Sequence, residues 1–309
     1  MKASIVLCAL ATYLTHAWLP FEPFKTARLQ SLNQGKLPSS LLSKHNPLDE
    51  LLGDPVRLTL HPIRHLDLWD LYTKVEASFW TVSEIDLSKD AVNGPENTAI
   101  FRMVALAHET NAMLLEPTRK LLELIDVPEV RHFLGFQIMS QNIHSQMYSS
   151  ILPPERDQLF QEIEAHAERK KAWMRGRLSN DVSVAERLVI SAVTKSIFSS
   201  VNLAVISALK EGKSMPGLVF AYESISSDNS KHFKFACLLF KKLKKSLNRS
   251  SLERIVMEAV DIERDALSII SIESINLNAS NVGNQITNTA NCLLIELGGE
   301  KMFNTEILL

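Results

Sequence analysis

Between Phe133 and Pro154 the chain carries no Asp, Glu, Lys or Arg, yet Gln137, Gln141, His144 and Tyr148 recur at steps of four, three and four. Those steps place four polar side chains on one stripe of a helix, with Phe136, Ile143 and Met147 on its other side. A helix that is apolar apart from one polar stripe belongs at the centre of a bundle, with the stripe facing inward. Its Gln, Asn and His content argues against a membrane span. A second run, Leu188–Leu209, is apolar or small except for Asn202 and one charge, Lys195. Two readings of that lysine are open. It either snorkels to the helix rim, or it is a buried ammonium near mid-helix that needs acceptors from neighbouring helices or loses its proton. A third helix is expected over Leu218–Lys245, with Asn229 and His232 three residues apart. Its closing run of lysines suits the negative end of the helix dipole. A fourth, Asn97–Ile125, carries Asn111 and Glu116 and is ended or kinked by Pro117. Met215-Pro216-Gly217 marks a turn between the second and third segments.

The pattern yields an all-α fold whose polar centre is Asn111, Gln141, His144, Lys195, Asn229 and His232. Bundles that hold two metals use one carboxylate from each of two helices and a Glu-x-x-His pair from each of the other two. Here the pairs are Gln141-x-x-His144 and Asn229-x-x-His232, with Asn111 and Lys195 as the single contributions. The layout of a di-metal site is present without its carboxylates. Composition agrees with long helices: Gly 10 and Pro 12 in 309 residues are about 7% together, against roughly 12% on average. A net charge of −2 offers no basic field for nucleic acid. Cys8, Cys237 and Cys292 have neither disulfide-framework nor zinc spacing.

Residues 1–50 are expected to lie outside the fold. Met1–Leu19 has the order of a short signal peptide, with an apolar run Ile5–Leu14 too short to span a bilayer. Residues 18–46 then carry Lys25, Arg28, Lys36 and Lys44 against the single acid Glu22, with five hydroxyl residues among them. That is a transit-peptide composition, so the pair reads as a two-part plastid leader or as an extension with no sorting role. Two sequons, Asn248-Arg-Ser and Asn278-Ala-Ser, matter only on a secretory route.

Several linked stretches resemble one family. Leu66-Asp-Leu-Trp69 through Glu76-Ala-Ser-Phe-Trp80-Thr-Val-Ser-Glu84-Ile-Asp86-Leu-Ser-Lys-Asp90 resembles the entry segment of class I ribonucleotide reductase small subunits. Gly135-Phe-Gln-Ile-Met-Ser-Gln-Asn-Ile-His144-Ser-Gln-Met-Tyr148-Ser resembles that family's second ligand helix. Glu186-Arg-Leu-Val189, Met215-Pro-Gly-Leu-Val-Phe220 and His232-Phe-Lys-Phe-Ala-Cys-Leu-Leu239 continue the match in order, over about residues 55–304. The resemblance implies a ferritin-like helical bundle over 51–309. It also implies a cytoplasmic protein of deoxyribonucleotide synthesis, with the secretory route or the plastid as the alternative if the leader is real. In that family a di-iron or di-manganese cofactor oxidises a tyrosine, and the radical hole is relayed to a large subunit. By resemblance Tyr148 is the radical tyrosine, Trp69 and Asp228 are the relay pair, and His144 and His232 are the histidine ligands. The carboxylate ligand positions hold Asn111, Gln141, Lys195 and Asn229, and Ser199 stands where a Phe packs near the tyrosine.

Charge then decides what the site is expected to hold. Two divalent metals bring +4, and the three amides and one ammonium bring no negative charge to offset it. No di-metal cofactor is therefore expected, and Lys195 is expected to replace the metals, bonding the carbonyl oxygens of Asn111, Gln141 and Asn229 with Asp228 as counter-charge. The family includes ligand-depleted small subunits that support assembly of an active partner. The first functional reading is accordingly a silent subunit that forms a homodimer, or a heterodimer with an active small subunit, with no nucleic-acid or membrane partner. The family's C-terminal tail, which docks on the large subunit, is not seen after Glu300–Leu309, so large-subunit contact in the usual way is not expected. The alternatives are a small subunit with a metal-free, tyrosine-derived radical, and a decaying paralogue.

Overall fold

Helix follows helix along the chain, with no strand among the described residues. The computed structural model describes residues 57, 59–90, 96–154, 156–177, 182–243 and 247–304; the leader at 1–50 lies outside them. The helices are α1 (Leu66–Ala77), α2 (Glu96–Met113), α3 (Leu115–Leu124), α4 (Pro128–Ile151) and α5 (Arg156–Gly176). They continue with α6 (Val184–Ser196), α7 (Ser200–Glu211), α8 (Pro216–Lys241), α9 (Arg249–Ile270) and α10 (Ala279–Glu296). Helix α4 packs on α1, α2, α3 and α8, and α8 packs in turn on α6, so the polar stripe of α4 faces the middle of the bundle.

Helix starts follow from residues that satisfy free backbone N–H groups. Asn248 and Asn278, the two sequon asparagines, are the N-caps of α9 and α10. Their side-chain carbonyls accept from Ser251 N, and from Ser280 N and Asn281 N. Helix α8 is capped from outside. Pro216 opens it, and the Asp90 carboxylate accepts from Gly217 N and Leu218 N, each at 2.8 Å. Gly217 is required there, because a β-carbon would press into the Asp86 carbonyl oxygen. Glu129, in the first turn of α4, is buried. It accepts from Arg64 N at 2.8 Å and pairs with Arg57, tying the segment before α1 to the core.

The structure corrects four expectations about helices. The fourth segment breaks at Leu114 rather than at Pro117, which is the third residue of α3. Lacking an N–H, Pro117 cannot donate to the Met113 carbonyl, and that is where α2 ends. The Leu188–Leu209 run is two helices joined by a 3₁₀ turn at Ile197–Ser199. Thr194, Ser196 and Ser200 each donate a hydroxyl to the carbonyl four residues back, which competes with the helical ladder. The buried Glu263 carboxylate then accepts from Val201 N at 3.3 Å at the restart. Lys195 consequently sits in the last turn of α6, not at mid-helix. Finally, α4 is not enclosed: Met139 is 39% exposed, and Phe136 and Ile143 are half-buried.

Candidate functional site

Four helices bring the six expected residues inward: α2 with Asn111, α4 with Gln141 and His144, α6 with Lys195, and α8 with Asn229 and His232. All but Asn229 are buried, and the two imidazole rings lie 6.5 Å apart. Their polar atoms are committed in ways the spacing did not foretell. Asn111 Nδ2 donates to the backbone carbonyl of Gln141 at 2.8 Å. The Gln141 amide turns toward Thr118 Oγ1, at 3.4 Å, and its Oε1 has no hydrogen-bond partner. Lys195 Nζ donates to Asn229 Oδ1 at 2.9 Å. The three-acceptor cage expected around Lys195 is therefore reduced to one acceptor. Burial pushes the ammonium down to about 7, with Asp228 pulling the other way.

Asp228 is the organising anion. Its Oδ2 accepts from Trp80 Nε1 at 2.9 Å, His144 Nε2 at 3.0 Å and Ser140 Oγ at 3.1 Å. Lys231 approaches its other oxygen at 3.8 Å. Burial raises the carboxyl, but the bond from His144, the nearby imidazoles and the indole outweigh it and hold it at about 2. Burial lowers the pKa of both His144 and His232. His144 Nε2 faces the carboxylate, which only accepts, and so donates to it; the buried His144 Nδ1 and both ring nitrogens of His232 lack partners.

The indole on Asp228 is that of Trp80, not Trp69. Trp80 also stacks on the His144 ring, with centroids 6.0 Å apart. Trp69 lies at the α1–α4 contact, against Tyr72 at 4.7 Å and His132 at 5.7 Å. Sequence reasoning chose the wrong one of two tryptophans eleven residues apart: Trp69 lies within α1, and Trp80, in the non-helical segment after it, reaches Asp228 on α8. Tyr148 is buried one turn beyond His144, beside Tyr222 on α8 at 5.8 Å. Burial raises both phenols. Tyr222, Ser140 and Lys231 were not singled out from sequence, and only the facing helices bring them to the centre. The nearby acids do not join it: Glu109 pairs with Lys171 at 2.8 Å and Glu116 with Arg119 at 2.8 Å.

The family model for the ribonucleotide reductase small chain matches residues 57–307. The chain belongs to the ribonucleotide reductase small-chain family. A ribonucleoside-diphosphate reductase small chain of Arabidopsis thaliana is 36% identical over 271 residues, covering 83% of this protein and 80% of that one. Human subunit M2 is 35% identical over 272 residues, covering 83% and 70%. Among solved structures, the Rnr4 homodimer of the Saccharomyces cerevisiae ribonucleotide reductase is similar at 32% identity. It has a TM-score of 0.76 and covers 84% of this protein and 88% of that one. The ferritin-like bundle expected from the sequence is thus the fold of this small chain.

Proposed function

We propose that this small chain is a catalytically silent subunit that assembles with an active small subunit and stabilises it. The observation that carries the reading is the donor set of the centre: two imidazoles, three amides, one ammonium and the single carboxylate of Asp228, whose bonded oxygen already serves three donors. A pair of hard, redox-active dications needs several carboxylate oxygens to bridge and neutralise it. Lys195, held down to about 7 by burial, brings no negative charge in either form, and as an ammonium about 4 Å from such an ion it is repelled by roughly 8 kcal/mol at an effective dielectric of ~20. The imidazoles suit a metal; the remaining donors do not. The di-metal cofactor of the family does not fit these residues, and no chemical step is assigned to it.

The same charge change supports a structural role. Asp228 draws Trp80, Ser140 and His144 to one point, joining the segment after α1 to α4 and α8 by direct hydrogen bonds. A two-chain assembly is supported by the similar yeast structure, a homodimer. Co-purification of the tagged chain from its source, with metals measured on each resolved subunit, tests the reading. The expected result is a 1:1 complex in which iron or manganese follows the partner alone. Metal on this chain, or no small subunit accompanying it, overturns the proposal.

A metal-free tyrosine-derived radical is the second reading, favoured by one observation: Tyr148 is sealed from solvent beside a second buried phenol, Tyr222. An organic-radical resonance in protein from the native source that vanishes in Tyr148→Phe supports it; a silent spectrum rejects it.

A further inference from the structure

Two lysines are buried among the described residues, and their surroundings differ in kind. Lys170 on α5 meets the Glu263 carboxylate at 2.8 Å and lies over the Phe198 ring, both of which suit an ammonium. Lys195 meets an amide instead. Its Nζ lies 2.9 Å from Asn229 Oδ1 and forms no other hydrogen bond or ion pair among the described residues. An uncharged amide does not neutralise an ammonium, so burial favours the free amine at this position. A free amine against an amide carbonyl is a nucleophile held at an electrophile. Asn229 Nδ2 has no hydrogen-bond partner among the described residues, and the side chain is half-buried, which leaves a small product a way out. His232 stands one turn further along the same face of α8. Both of its ring nitrogens are buried without a partner, and Lys195 is the charge that acts on it most strongly.

We infer that the Lys195–Asn229 contact is a site of covalent modification, an amide cross-link that joins α6 to α8 within one chain. The Asn229 amide first turns about its soft χ2 torsion, which presents the carbonyl face to Nζ. The neutral amine then adds to Cγ. His232 takes one proton from Nζ and returns it to Nδ2. The Cγ–Nδ2 bond breaks, the Nζ–Cγ amide remains, and ammonia leaves. One amide replaces another, so no oxidant or reductant is consumed. Proximity supplies the drive that an activated acyl group would otherwise give: well-oriented partners react at effective concentrations of roughly 10⁵–10⁸ M. Dilution of the ammonia into solvent draws the exchange forward. The cross-link spans 34 residues and restricts the unfolded chain as a disulfide does. It fastens two of the four helices at the centre by a bond, and it does not depend on the silent-subunit reading.

Mass spectrometry of the purified full chain, denatured and then digested, tests the assignment. The wild type is expected to be lighter than its sequence by one ammonia. The peptides that carry Lys195 and Asn229 are expected to appear joined as one branched species. Lys195→Arg, whose guanidinium stays protonated, is expected at the mass of its own sequence. Asn229→Leu gives the same readout should Lys195→Arg fail to fold. His232→Gln is expected to accumulate the branched peptide at least tenfold more slowly, with an unchanged helical circular dichroism spectrum. A wild type at full mass, with Lys195 and Asn229 in separate linear peptides, overturns the proposal. Loss of ammonia that persists in both Lys195→Arg and Asn229→Leu also overturns it. Cross-linking at an unchanged rate in His232→Gln overturns the proton transfer assigned to that ring. Failure of the silent-subunit reading shows separately, as metal on this chain or the absence of a small subunit in the co-purification.

Discussion

Asp228 holds an indole, an imidazole and a hydroxyl on one oxygen in a nearly dry interior. Such bonds to a charged acceptor contribute about 1.5–3 kcal/mol each, so Asp228→Asn, which keeps the shape and removes the charge, should cost about 2–3 kcal/mol. Urea denaturation followed by circular dichroism reads that loss, and an unchanged midpoint rejects the organising role. Elsewhere the interior contains His166 on α5, buried with both ring nitrogens unpartnered and held down to about 3 by burial and by Lys170 and Arg169. An unfolded imidazole takes its proton near 6.5, so between about 6.5 and 3 the unfolded chain binds more protons than the folded one. The contribution is complete above that window and is lost as pH falls through it. His144 and His232 act in the same direction. Melting temperatures measured from pH 7 to 4 should therefore fall less steeply in His166→Leu than in the wild type. Parallel curves contradict the argument. Which residues meet at Asp228 was only partly legible in the sequence. Helical spacing identified His144, but the choice between Trp69 and Trp80 depends on how a non-helical segment turns, and no periodicity encodes that.

Helices α6 and α8 show what makes the elements begin and stop. Asp90 closes the N-terminus of α8 from a segment more than a hundred residues earlier, and Gly217 lets that segment approach. Asp90→Ala should cost about 1 kcal/mol as a lost cap. Gly217→Ala, which forces a β-carbon against backbone, should cost about 1–3 kcal/mol. Thermal unfolding of the two variants checks both values, and a Gly217→Ala protein as stable as the wild type rejects the close approach. The Met-Pro-Gly turn was readable because Pro and Gly announce it locally. The break within Leu188–Leu209 was not, because its causes are hydroxyl back-bonding and a carboxylate on a distant helix, Glu263. That carboxylate is itself buried and paired with Lys170 at 2.8 Å, while burial raises its pKa. The lysine whose place was misjudged for this reason, Lys195, lies in the last turn of α6.

At the scale of the whole molecule, Asp228 gathers an indole, an imidazole and a hydroxyl at the centre of the helical bundle, and Lys195 bonds Asn229 beside them. The fold was legible because hydrophobic period and residue order extend over most of the chain, and the family match covers residues 57–307. The centre was legible as a list of residues and not as a network, since side-chain direction decides whether an amide faces a lysine or a backbone carbonyl. The silent-subunit proposal requires a centre that does not take up the family's metals. Anaerobic loading of the purified full-length chain with iron(II) or manganese(II), followed by air, desalting, elemental analysis and electron paramagnetic resonance, tests it directly. The expected result is metal at background and no tyrosyl resonance, under conditions that load an active small subunit in parallel. Retention of close to two metal ions per chain contradicts the proposal.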